Sequence, residues 1–318
     1  MEAKPTFAVM GTGGIGGYFG GRLAAAGYDV TFIARGAHLN AIRDHGLKVL
    51  SPLGDFTVEG VNATDDPASV GPVDFVLFMV KLQDMKAAAQ LIKPLVGDKT
   101  TIVPFQNGIG GPDLIREAFG PERMMGGVAY IPAMIEAPGV IRHGGTLAKL
   151  SIGEFGEKSG NAHSARAEIL AAAFTDAGVE IGIAKDIEVT LWSKFIFLGA
   201  MSALTCLTRL PLGPIREDPD TRALFAAAME EIAAVGRARG VALDEDVVQR
   251  QMGFADKLGA GMKSSMLNDL EAGKPLELEY LSGTAVHLGI ELGVDTPVHR
   301  MAYAVLKPYL QGAPALPG

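Results

Sequence analysis

A run of glycines near the start of this chain narrows its possible folds more than any other feature. Gly11-Thr12-Gly13-Gly14-Ile15-Gly16 follows a predicted strand over residues 6–10 and opens a predicted helix reaching about Ala26. Gly11 permits a tight turn, Gly13 lets the backbone approach a pyrophosphate, and Gly16 lets the helix pack closely on the strand. The helix N-terminus meanwhile favours negative charge. In this strand–turn–helix setting, Gly11, Thr12, Gly13, Gly14, Ile15 and Gly16 read as a dinucleotide-binding turn. A plain glycine-rich turn and an S-adenosylmethionine site are the other readings of the same pattern.

Beyond this turn the chain keeps the alternation of a doubly wound α/β domain. Strands are predicted at 29–34, at 74–80 (the continuous apolar run DFVLFMV), at 101–105 and at 124–131. Unbroken apolar runs of this kind suit parallel strands buried on both faces. Residues 47–50 and 56–59, separated by SPLGD, read as a peripheral hairpin. Strand signals continue over 140–152 after a turn at Pro138-Gly139. From Asp186, a candidate N-cap, the pattern turns helical over 187–208, 221–239, 245–258 and 276–289. Thr296-Pro297 opens a last helix. The expected division is a nucleotide-binding domain over 1–185 and a helical substrate domain over 186–318, with a frayed tail after Lys307.

The net charge of −8 argues against a nucleic-acid partner, which needs a basic face. The one cysteine, Cys206, permits no intrachain disulfide and no thiolate metal set. His143 and His299 stand in no metal-ligand spacing, so no metal is expected. The N-terminal residues enter a strand directly, without the pattern of a leader. The uncharged run over 195–208 is shorter than the roughly 20 residues a bilayer span needs. A soluble, cytoplasmic protein without a membrane partner is the expectation, with a helical half apolar enough to pair as a homodimer.

Candidate chemistry gathers after the strands. The second strand ends in Arg35 with no acid until Asp44, which suits the 2′-phosphate of NADP(H) rather than a free ribose diol. A solvated surface arginine is the plainer alternative. Lys81 follows the strand 74–80, and Asn107 follows 101–105 within PFQNG, both at the sheet edge where ligands of open α/β sheets bind. Asn-Gly is also an ordinary turn. Lys194 shares a helix face with Leu191, Phe197, Leu198 and Met201, so it either snorkels to water or sits desolvated as a proton donor. Glu277 heads a stripe of Tyr280, Leu281, Thr284, Ala285 and Leu288, as a buried acid or as a first-turn dipole contact.

The segments GTGGIGG, FMVKLQD, FQNGIG, LWSKF and SSMLNDLEAGKPLELEYLSG, in this order, resemble the ketopantoate reductase (2-dehydropantoate 2-reductase) family across nearly the whole chain. The resemblance implies an N-terminal Rossmann-type doubly wound domain and a C-terminal all-α domain similar to that of 6-phosphogluconate dehydrogenase. It implies an active site in the cleft between them and reduction of ketopantoate to pantoate by NADPH. On this likeness Lys194 corresponds to the general acid, and Glu277 to the acid that binds the substrate hydroxyl and orients the lysine. Ser265 corresponds to a substrate-carboxylate ligand. Asn107 and Lys81 correspond to residues beside nicotinamide and substrate, and Arg35 to the 2′-phosphate contact. The chain departs from the family pattern at Leu198, Ser202 and Leu212, where asparagines are usual; of these Ser202 keeps a hydroxyl for substrate. Another 2-oxo acid or an imine therefore stays open as substrate. So does a non-catalytic NADP-binding sensor, against which the retention of Lys194 and Glu277 speaks. A methyltransferase is disfavoured by Arg35.

Overall fold

The computed structural model describes residues 3–156 and 164–314. The chain forms two compact units. One takes in the residues up to Gln106 together with Gly110–Ile187, and the other Asn107–Ile109 and the residues from Glu188 onward. The sequence places the division after residue 185. The structure places it after Ile187 and hands a three-residue loop of the first half to the second unit.

The first unit opens with β1 (Phe7–Met10), α1 (Gly14–Ala25), β2 (Val30–Ile33), α2 (Gly36–His45), β3 (Leu47–Leu50), β4 (Phe56–Val58) and β5 (Asn62–Thr64). It continues with β6 (Phe75–Phe78), α3 (Met85–Leu91), β7 (Thr101–Pro104), α4 (Gly110–Phe119) and β8 (Gly126–Tyr130). The strands β9 (Ala133–Ala137), β10 (Val140–His143) and β11 (Lys149–Gly153), with α5 (Ala165–Asp176) and β12 (Glu180–Ile183), complete it. A parallel five-stranded sheet runs in the order β5-β2-β1-β6-β7. Every residue of β1, β6 and β7 is buried, as central parallel strands covered on both faces must be. β5, a short polar edge strand, carries no apolar run and is invisible to pattern reading. The predicted strand over 124–131 leaves this sheet after a single parallel bridge between Ile102 and Met124. Its main part, β8, pairs instead in a three-stranded sheet of order β12-β11-β8.

The expected hairpin of β3 and β4 is correct in its antiparallel pairing but not in its peripheral place. It joins β10 and β9 in a four-stranded sheet, order β4-β3-β10-β9, that packs on α1. α1 thus lies between two sheets, and its glycines divide accordingly. A Cβ at Gly20 would sit 2.7 Å from Val9 and Phe32 of the parallel sheet. On the other side, one at Gly17 would sit 2.6 Å from Ile141 of β10, and one at Gly14 would run into the backbone of Ala133 and Met134 in β9. The glycines beyond the six-residue motif mark a helix approached from both sides.

The second unit comprises α6 (Ile187–Thr208), α7 (Leu212–Glu217), α8 (Pro219–Ala238), α9 (Val247–Lys257), α10 (Ser265–Glu271), α11 (Ser282–Leu292) and α12 (Pro297–Leu306). By length and composition α6 could cross a membrane, but 72% of its apolar window is buried inside the protein, which makes it a core helix. Around it pack Phe225, Met229 and Ile232 of α8, with Leu267 of α10 and Ala302 of α12. The single helix expected over 276–289 is in fact two pieces. Glu277–Tyr280 is a 3₁₀ turn, and Leu281, at φ −109° and ψ −94°, breaks the path before α11 begins. Glu277 therefore does not head a continuous helical stripe with Thr284 and Leu288. Two short helices, α7 and α10, escape the sequence reading because each spans fewer than eight residues.

Candidate active site

In the parallel sheet the strand order reverses at β1, which has β2 on one side and β6 on the other. Such a switch point opens a crevice at the carboxyl ends of the strands. The glycine turn sits there. Gly11 has φ +96°, and a Cβ on it would lie 2.8 Å from the Val80 backbone nitrogen, so the turn is seated directly against the residues that lead to Lys81. Thr12 is buried, and its hydroxyl donates to the Ile33 carbonyl at the end of β2, 3.1 Å away. Gly13 differs from its neighbours in that a Cβ there would meet nothing within 4 Å. Among the described residues no packing demands glycine at 13, so its bare backbone at the start of α1 fits the close approach of a dinucleotide pyrophosphate.

Arg35 is exposed and forms the N-cap position of α2, directly after β2. Lys81 is exposed after the end of β6. Both stand on the carboxyl edge of the sheet, where the sequence places them. Gln106 is a member of this edge that sequence reasoning missed. Its amide nitrogen donates to the Phe78 and Val80 carbonyls at 2.9 and 3.1 Å, fastening the end of β7 to the end of β6. The FQNG motif is thus more than a turn, although only the neighbouring asparagine carried a chemical signal.

The second unit holds a separate group. Lys194 lies on α6, and its ammonium donates to Asn107 Oδ1 at 3.0 Å. Asn107 reaches it because the loop Asn107–Ile109 belongs to this unit: Ile109 packs on the helical core. Gly108, at φ +78°, lies so close to the Glu277–Tyr280 turn that a Cβ would stand 3.0 Å from the Tyr280 carbonyl. A side chain at 108 would push this loop off the turn that carries Glu277. Burial drives the Lys194 pKa down to about 8, partly opposed by the negative charge of Glu277. Asn107, Lys194 and Glu277 are therefore brought together, as an ammonium poised near neutral pH between an amide acceptor and a carboxylate.

The remaining predicted residues lie further along α6 and at its neighbours. Ser202, two turns beyond Lys194, is fully buried, and its hydroxyl has no hydrogen-bond partner among the described residues. Thr205 and Ser264 share a 2.7 Å hydroxyl contact that ties α6 to the start of α10, where Ser264 also caps the Leu267 amide. Ser265 is exposed as the first residue of α10. Leu198 is half-buried one turn beyond the lysine, whereas Leu212 is wholly within the core. Among the described residues no cluster of three or more metal-ligating side chains occurs.

The family model described as Ketopantoate reductase PanE/ApbA matches residues 7–157, and the one for its C-terminal part matches residues 186–310. A 2-dehydropantoate 2-reductase from Mesorhizobium japonicum is 32% identical over 94% of this chain and 96% of its own length. The crystal structure of a 2-dehydropantoate 2-reductase from Geobacter metallireducens superposes with a TM-score of 0.87 at 32% identity, covering 95% of this chain and 99% of that one. A D-mandelate dehydrogenase bound to NADH and anilino(oxo)acetate shares the fold, with a TM-score of 0.86 at 22% identity over 96% of this chain and 97% of that one.

Proposed function

The chain belongs to the ketopantoate reductase PanE/ApbA family of oxidoreductases acting on CH–OH groups, and from that premise we propose that it reduces ketopantoate to pantoate with NADPH. The observation that carries this reading is the partly buried Lys194 ammonium, held by Asn107 and influenced by Glu277, with its pKa near 8. A dinucleotide bound at the glycine turn supplies the hydride that becomes the new C–H bond of the product. The chain supplies the proton. As charge builds on the substrate's carbonyl oxygen, Lys194 Nζ stabilises it electrostatically and then donates its proton to give the hydroxyl. Asn107 Oδ1 accepts from the same ammonium and so limits the directions in which Nζ can point. The negative charge of Glu277 favours the protonated lysine against the burial that lowers its pKa. Solvent returns the proton to Nζ after turnover.

NADPH rather than NADH is proposed on Arg35, an exposed guanidinium directly after β2. The roles of Lys81 beside nicotinamide, and of Ser202 and Ser265 toward substrate, are part of the same reading. A second reading, the same chemistry on a bulkier 2-oxo acid, is favoured by Leu198. This half-buried leucine one turn from the lysine offers no hydrogen bond to a polar substrate.

The test is the oxidation of NADPH, followed by absorbance, with ketopantoate and with a series of larger 2-oxo acids, against NADH controls. Ketopantoate-dependent oxidation with NADPH, at least about tenfold faster than with NADH, is expected. NADPH binding without ketopantoate turnover, together with turnover of a larger oxo acid, would replace the first reading by the second.

A further inference from the structure

The parallel ladder between β6 and β7 is finished by a side chain. Along it the Thr101 amide donates to the Asp74 carbonyl at 2.8 Å and the Phe105 amide to the Phe78 carbonyl at 3.0 Å. The same offset, carried one step further, would bring the Asn107 amide to the Val80 carbonyl. The chain instead leaves the sheet after Gln106, since Asn107–Ile109 belongs to the second unit. The Val80 carbonyl accepts from Gln106 Nε2 at 3.1 Å, and the Phe78 carbonyl accepts from the same nitrogen at 2.9 Å. Only the nitrogen end of the amide can donate to two carbonyls, so the partners fix the orientation of the side chain. Oε1 consequently points away; it is shut off from solvent and has no hydrogen-bond partner among the described residues.

What Gln106 holds is the stub of β6 that leads to Lys81. On the opposite side the Met79 amide donates to the Met10 carbonyl of β1 at 2.8 Å, and Gly11 of the glycine turn is seated against the Met79–Val80 peptide. The stub is thus held from β1 by a backbone bond and from β7 by Gln106. Lys81 is the first residue beyond that grip, and it is exposed. Gly111, in the first turn of α4, leaves room for the amide, because a Cβ there would lie 3.3 Å from Gln106 Oε1. The unpaired Oε1 offsets part of the stability that the two bonds add, whereas the direction they give to Val80 is undiminished.

We infer that Gln106 is the positioning residue of Lys81: by pinning the Val80 carbonyl it fixes the point and direction in which Lys81 leaves the sheet edge toward a bound dinucleotide. This rests on the reading of that edge as a dinucleotide site with Lys81 beside nicotinamide. Gln106 itself offers a ligand nothing, because its amide hydrogens are spent on two carbonyls and its oxygen is enclosed. Its effect on binding therefore passes through Lys81. That effect is common to NADPH and NADH, whereas Arg35 acts on the 2′-phosphate that only one of them carries.

The experiment is a double-mutant cycle on the parent chain, Gln106→Met, Lys81→Ala and the two combined. NADPH and NADH are titrated at equilibrium by nicotinamide fluorescence, with melting temperatures alongside. Gln106→Met keeps the length of the side chain and removes the donor. It is expected to weaken both dinucleotides by about tenfold, equivalent to one hydrogen bond of ordinary strength, with the NADPH/NADH ratio at the parent value. Lys81→Ala should weaken them at least as much, and adding Gln106→Met to it should cost no more than about a further twofold. Gly111→Ala crowds Oε1 but leaves the donor in place; it should reproduce part of the loss, and it carries the test if Gln106→Met does not fold. Unchanged affinities in these variants, with only a lower melting temperature, would overturn the inference and leave Gln106 a structural brace. A further loss of about tenfold in the Lys81→Ala background would also overturn it, since Gln106 would then act independently of Lys81. If Lys81→Ala itself bound like the parent, the placement of Lys81 beside nicotinamide would fall and the inference with it. A parent chain that bound neither dinucleotide would remove the site altogether, which separates the failures.

Discussion

At Lys194 two influences of opposite sign meet, and their balance sets the pKa of the proposed proton donor. Burial favours the neutral amine, Glu277 favours the ammonium, and burial wins by enough to bring the pKa to about 8. Asn107 is neutral, so it holds Nζ without placing a second negative charge beside it. Asn107→Asp would add a second carboxylate at hydrogen-bond distance and should move the alkaline limb of the pH–rate profile upward by roughly one unit. An unmoved limb would mean that another group titrates there. Arg35→Asp should turn the preference from NADPH toward NADH, read as the ratio of kcat/KM for the two; an unchanged ratio would remove Arg35 from the cofactor site. Lys194 is legible in the sequence because a charge within LWSKFIFL stands out on an apolar helix. Its partner's contact is not, because Asn107 lies 87 residues away and looks like any Asn-Gly turn. Glu277 stands out in the sequence on a helix face it does not possess, since Leu281 breaks that helix.

Among the elements, α1 shows how differently neighbouring glycines of one motif behave. Gly13 faces open space and Gly14 faces the β9 backbone. Gly13→Ala should therefore leave the melting temperature nearly unchanged while weakening NADPH binding at least about tenfold, as a methyl group enters the space the pyrophosphate needs. Gly14→Ala must move backbone, and should cost about 1–3 kcal/mol of stability in a denaturant titration. Equal effects of both substitutions on stability would contradict the assignment of open space to Gly13. The motif announces the strand, turn and helix directly, as do the buried runs of β6 and β7, because their residues are uniform in polarity. The second sheet over α1 has no such signal. The strand β10 pairs with β3 across some 90 residues and carries β9 on its other side, and the long-range register is written in no local pattern.

For the whole molecule, the helical core carries its own sensitivity to acid. His299 is fully buried, with its ring nitrogens facing the Ala228 carbonyl and the Ser282 hydroxyl, and burial lowers its pKa to about 4. The folded state keeps it neutral where an unfolded chain would protonate it below about 6.5. Its contribution is therefore intact above that pH and lost as the pH falls toward 4, by at most about 3 kcal/mol. Glu231, which accepts from the Val298 and His299 amides at the start of α12, is raised by burial and opposes part of this loss. His299→Gln should shrink the difference in unfolding free energy between pH 7 and pH 5, and an unaltered difference would assign the acid sensitivity elsewhere. The proposed turnover, by contrast, rests on the proton held at Lys194. The sharpest test of that role is the pH dependence of kcat with saturating NADPH and ketopantoate, in the parent chain and in Lys194→Ala. The expected result is a plateau that falls as the pH rises through about 8, and a variant at least about 10²-fold slower without that limb. A variant that keeps both the rate and the alkaline limb would contradict the assignment of Lys194 as proton donor.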